Sequence, residues 1–585
     1  MAAYAQLITH TPEQLVKWRG LATSNPSRLV RVLGLGPGKS TREGDNQGDI
    51  YAALNVLKEI TRPFDSSGAK HPAWDGLVEA GVAAMLCKNV LEMVVFLDWL
   101  PTMPKDLLEK AKKEIQSPYH LPLEILCSAS CCFEYPPSSG DKKVISALRR
   151  NWAQMMDRIW NEPENTLEPS NSHILERMAV AQMTIRLIIT DPSCLAIFHD
   201  PVDLTIPIIA RNWRYATDAA DTKTNASVLN SFFYPEHPRH VAYVRSTSAL
   251  SASQWLSRIY LGAGPSPTSS APRQAKAIIT TFGEHFARVV GIPAHVELDF
   301  FMGLLTAANR DNTEPELAKA ILKSNPFWNG IFKLLRKSGK YEGSEGGEEP
   351  EEGKESRMTI AANVVGTATD ILHKVYLESP RESEGLVRIW TNENLFGALE
   401  ETIGMLVPMP GITMQISRMT GVIGNIVIKG APALTRVLKD QFPRWRIIGT
   451  LLKHDIMRQQ VVGPPPPVSS GKLPPKDSGV WDHSAWQCVL GLQSSCFDLG
   501  KSCGKRGCGK DGMEKESCAK CKLVLYCSEA CRTKDAVSHE FVCPFMVVLV
   551  GADQGTKATP PMVPKPGVAP PSASKSNNAP LADLD

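Results

Sequence analysis

From residue 50 to about 460, apolar residues recur every three or four positions, and few stretches alternate strictly between apolar and polar. That period belongs to helices with one buried face. The clearest example follows Ser172, where Ile174, Met178, Ala181, Ile185 and Ile188 make one stripe and Asp191-Pro192 closes it. The same spacing predicts helices over 49–60, 74–100, 143–160, 249–261, 273–290, 314–335, 358–377 and 384–406. Trp99, Trp152, Trp160, Trp213 and Trp390 fall within this helical region and are expected in the core.

Many short helices predict a mainly α fold, an irregular array of stacked helical pairs. Gly76–Val82 looks like the opening of an armadillo-type repeat and Gly385–Trp390 echoes it, but no fixed period links them. An armadillo-like α-solenoid and a compact helical bundle are the two forms such a pattern could take. Residues 1–460 are read as this scaffold, interrupted by a Gly-, Glu- and Ser-rich acidic insertion at 337–356 that is expected to be a solvated loop. The apolar run 404–434 contains Pro408, Pro410, Gly411, Gly421 and Gly424, which predict a buried, broken segment. Residues 461–480, with four consecutive prolines at 464–467, read as a linker that holds the C-terminal unit away from the scaffold. A short amphipathic helix over 481–492 opens that unit, 481–552, and is expected to pack on it. Residues 553–585 have the composition of a disordered Pro-rich tail.

Composition adds exclusions. The chain has 585 residues and a net charge of +3, too little to attract nucleic acid or anionic membrane in general. Arg418 and Lys429 interrupt the most apolar stretch well short of the roughly 20 residues a membrane crossing needs. Gly34–Ser40 imitates a phosphate-binding loop, but Leu33 stands where its first glycine belongs, and turn-forming residues come next where a helix should start. No HExxH, nucleophile elbow or distinguished acid–base pair is present, so no catalytic residue is assigned.

Candidate chemistry is concentrated in 503–543. Half of the 14 cysteines lie there, at 503, 508, 518, 521, 527, 531 and 543, with His539 four residues before the last. Cys518 and Cys521 form a CxxC pair, and Cys527 and Cys531 can bind from the first turn of a helix. Thiolate and imidazole suit zinc, and eight ligands fill two tetrahedra. Forty-one residues cannot bury a core sufficient to fold, so structural metal would supply the deficit, on the order of 10 kcal/mol per ion. The alternatives are free thiols or a disulfide knot. A knot needs an oxidising compartment, yet the N-terminus shows no basic region followed by a long apolar core, so an intracellular site, cytoplasmic or nuclear, is expected.

This eight-ligand pattern, with Tyr526-Cys527-Ser528 at its centre, closely resembles the MYND-type zinc finger. The resemblance implies interleaved sites: Cys503, Cys508, Cys527 and Cys531 on one zinc, Cys518, Cys521, His539 and Cys543 on the other. It also implies a protein-binding surface, which in some members accepts proline-containing peptides. Pro560–Pro564 is a peptide of that general kind within the tail. The family usually places Gln and then Trp between the sixth ligand and the His, where this chain has Arg532 and Ala536.

The resulting expectation is a non-enzymatic, zinc-dependent interaction protein with two structural Zn²⁺ ions and a protein partner, a Pro-containing peptide being one candidate. Two alternatives compete with it. The finger accompanies a methyltransferase domain in some proteins, but the Asn-His-Ser-Cys-x-Pro-Asn and Gly-Glu-Glu-Leu runs of that domain are absent. Nucleic-acid binding would need more than the nine Lys/Arg against six Asp/Glu counted from 501 to 543.

Overall fold

The computed structural model describes residues 10–35, 40–62, 71–92, 119–163, 167, 174–233, 251–266, 269–309, 315–340, 351–429, 432–462, 485–496, 501–508, 510 and 516–547. Among these, 25 helices and one two-stranded hairpin account for the regular structure. Local chemistry starts several helices. Thr11, Asn46, Ser138 and Ser251 each form a capping box ahead of Pro12–Ser24, Gln47–Thr61, Ser139–Asn161 and Ala252–Ala263.

The helices stack in two rows that run in chain order. In the first, Pro12–Ser24 packs on Gln47–Thr61, then come His120–Cys131, Ile174–Thr190, Ala219–Phe233, Gly291–Asn309, Glu351–Glu378, Ile412–Ile428 and Ala485–Cys496, each against the next. The second runs Val82–Glu92, Ser139–Asn161, Thr205–Arg214, Ala252–Ala263, Ala271–Arg288, Asn325–Ser338, Leu395–Leu406 and Trp445–Val462. One contiguous apolar core fills the space between them. Helix length in the first row varies from 12 to 28 residues, so the array is irregular.

Several predicted helices are divided. The one over 74–100 is described only as far as residue 92, and that part is two helices, Ala73–Glu79 and Val82–Glu92, separated at Gly81, whose φ of +88° a side chain would resist. That over 314–335 breaks at Ser324, which caps Asn325–Ser338. The 384–406 helix breaks at Asn394, left-handed at φ +60°, with its side chain accepting from the Gly397 amide. The apolar period runs straight across each break, which is why periodicity joins the pieces. The 404–434 run is buried and broken as expected at Pro408, Pro410 and Gly411, which separate Leu406 from Ile412, but Ile412–Ile428 is one helix that passes through Gly421 and Gly424, because packing on both flanks outweighs the propensity cost of glycine.

The acidic insertion is shorter than expected, since Lys337 and Ser338 end one helix and Glu351 begins another that runs to Glu378. Its centre, 341–350, lies outside the described residues, as do Trp99, Gly36–Lys39 of the imitation loop, linker positions 463–480 and the tail. Trp152, Trp213 and Trp390 are buried as expected and Trp160 half-buried, while Trp18, Trp255, Trp328 and Trp445 join them. The lead-in helix is Ala485–Cys496, and it packs on Ile412–Ile428 and Trp445–Val462, making it the last helix of the first row.

Candidate metal centre

The cysteine segment folds around a short hairpin. Glu516–Ser517 pairs antiparallel with Leu525–Tyr526, and the turn between them is the Cys518–Cys521 knuckle. Lys522 takes the left-handed conformation at φ +58°, its amide donates to the Cys518 carbonyl at 2.9 Å, and the Cys518 amide donates to Val524 at 2.9 Å. These bonds turn both knuckle sulfurs to one side. Ser528 then caps Glu529–His539 by accepting from the Cys531 amide at 3.3 Å. Cys527 therefore stands just before the helix and Cys531 in its first turn, while His539 ends it, eight residues beyond.

Two groups of four ligand atoms result, each with all members within 4.8 Å of one another: Cys503, Cys508, Cys527 and Cys531, and Cys518, Cys521, His539 and Cys543. In the first, the Sγ of Cys508 lies 3.5 Å from that of Cys527 and 3.8 Å from that of Cys531, and Cys527 and Cys531 are 3.5 Å apart. In the second, Cys518 and Cys543 sulfurs are 3.8 Å apart, and Cys521 Sγ is 3.4 Å from His539 Nε2. Ligands on a tetrahedron with metal–sulfur bonds of about 2.3 Å and metal–nitrogen bonds of about 2.0 Å stand about 3.5–3.8 Å apart. The donor sets therefore fit tetrahedral ions.

Electrostatics agrees with the geometry. Burial and the surrounding thiols push Cys508 up to about 12, whereas Cys527, where burial is outweighed by hydrogen bonds from Cys508, Cys531 and Cys503, is held at about 7. Sulfurs this close cannot all ionise without a cation among them. Burial lowers His539 to about 4, which keeps its imidazole neutral and able to ligate.

The finger is not held away from the scaffold, contrary to the expectation drawn from the linker. Its helix packs on Trp445–Val462. Trp445 Nε1 donates to Asp535 Oδ2 at 3.2 Å, and the Tyr526 hydroxyl donates to the same oxygen at 2.9 Å. Glu400 on Leu395–Leu406 takes Arg444 at 2.8 Å and Arg506 of the finger at 2.7 Å. The Arg446 guanidinium lies over the Phe541 ring, 5.5 Å from its centroid. None of these partners is legible in the sequence, where Asp535 and Glu400 look like solvated helix charges. Arg532 and Ala536, at the places where the resemblance expects Gln and Trp, remain outside this contact: Arg532 pairs with Glu516 at 3.3 Å and Glu529 at 3.2 Å, and Ala536 is exposed.

Among the described residues no helix is long and apolar enough to cross a membrane. No curated protein matches the chain. Residues 502–543 match the family model of the MYND finger. With two Cys/His clusters assembled there, this segment is a MYND-type zinc-binding finger, a module that generally mediates contact between proteins.

Proposed function

We propose that the protein is a non-catalytic interaction protein in which two structural zinc ions hold the finger and the finger presents a surface to a protein partner. The observation that carries this reading is the closure of both ligand sets at four: a closed site leaves no position at which substrate or reactive water could enter. The ligand chemistry favours zinc over harder cations, and seven thiolates and one imidazole are its usual structural donors. The partner class derives from the module. A proline-containing peptide is the finer candidate, and Arg532 and Ala536 are the residues that would set its fit.

Elemental mass spectrometry of the purified chain tests the first part. Two zinc per chain are expected, with a fall in Cys521→Ser and in His539→Ala; zero or one zinc in a folded chain would overturn it. Calorimetric titration with a peptide of sequence Pro-Pro-Met-Val-Pro tests the second. Arg532→Gln with Ala536→Trp should tighten binding several-fold, and absence of heat from both proteins would remove the peptide from the reading.

A further inference from the structure

The second row of helices does not stop at Trp445–Val462. The next element packed along it is Glu529–His539, the helix of the finger. The contact repeats a device used inside the array. A Cβ on Gly262 would fall 2.0 Å from the Pro207 carbonyl oxygen, and one on Gly330 would fall 2.0 Å from that of Gly283, so adjacent helices in this row meet backbone to backbone at glycine. At the end of the row a Cβ on Gly449 would fall 2.2 Å from the carbonyl oxygen of Phe541, in the finger. Asp535 and His539, four residues apart and so on one helix face, turn to the array together: Asp535 accepts from Trp445, and the Trp445 ring stands edge-on to the His539 ring at 5.8 Å between centroids.

We infer that the finger is the C-terminal cap of the helical array, a terminal element closed by metal that covers the apolar end of the row. Stacked helical arrays need such an end, because each layer buries its face only against the next. Trp445, Ile448 and Leu451 belong to the same buried cluster as Val524, Val542 and Met546 of the finger. His539 links the two functions, since one side of its ring ligates and the same helix face docks. Metal occupancy at Cys518, Cys521, His539 and Cys543 therefore sets the order of the last helices of the array as well as that of the finger. The inference rests on the zinc reading proposed for the finger.

Hydrogen–deuterium exchange of the full chain, with zinc measured on the same samples, tests it. Removing zinc with a chelator should raise exchange at least tenfold in 445–462 and 485–496 while leaving 139–161 unchanged. Gly449→Ala should keep both zinc ions yet raise exchange in 445–462 and 529–547, because the added methyl has no room. Were the helix free of the finger, the same change would slow exchange in 445–462, alanine being the better helix former. Chelation that loosens 516–547 but leaves 445–462 and 485–496 protected would overturn the cap and spare the zinc reading. So would a Gly449→Ala chain with exchange unchanged or slowed. A native chain that holds no zinc would overturn both.

Discussion

Arg177 and Asp221 meet at 2.6 Å with neither side chain exposed, and Asn225 donates to the same carboxylate at 2.8 Å. Burial raises the Asp221 carboxyl and Arg177 opposes it. Arg177→Met would strand a buried carboxylate, at a cost of about 3–5 kcal/mol, whereas Arg177→Met with Asp221→Leu should cost much less; urea unfolding of the two variants checks this. Asp45 behaves differently. Burial would push its carboxyl up, but hydrogen bonds from Arg28, Lys17 and Thr41 outweigh that and hold it at about 2. Its folded value lies below the unfolded value of about 3.9, so its contribution is complete above about pH 4 and is lost as pH falls toward 2. We expect about 2 kcal/mol to disappear over that window in acid-titrated unfolding, and Asp45→Asn to lack the effect. None of these roles is legible in the sequence, whereas the metal ligands are, because cysteine and histidine at paired spacing carry their geometry with them. A charge such as Arg177 reads as solvent-facing until the helix opposite is known.

The existence of most helices can be read from apolar spacing, but their ends cannot. Breaks at Gly81, Ser324 and Asn394 are single-residue events in φ or capping, and a hydrophobic stripe continues across them. The packing of Ala485–Cys496 departs from expectation for a related reason: its neighbours, Ile412–Ile428 and Trp445–Val462, lie upstream of the whole linker. In the finger, one capping residue joins local structure to metal. Ser528 accepts from the amide of Cys531, a ligand in the same turn. Ser528→Ala should cost about 1 kcal/mol, seen as roughly fivefold weaker zinc retention in a chelator competition.

The whole chain combines a long apolar core with an end that depends on two helices beyond the proline-rich stretch. Ending the chain after Val462 would uncover the buried face of Ile412–Ile428, including Val422 and Ile423, and that of Trp445–Val462, including Ile448. Light scattering should report association of the shortened chain where the full chain stays dispersed. The two-row order has one more implication. Because each helix finds its partners among the next few helices in the chain, the array can assemble by addition, layer on layer. A chain emerging from the ribosome can lay down one layer after another without waiting for distant segments, and the finger arrives once the layers it covers are already in place. Scarcity of metal during synthesis would then leave a finished array with a single faulty end, a localised defect that quality-control factors could recognise.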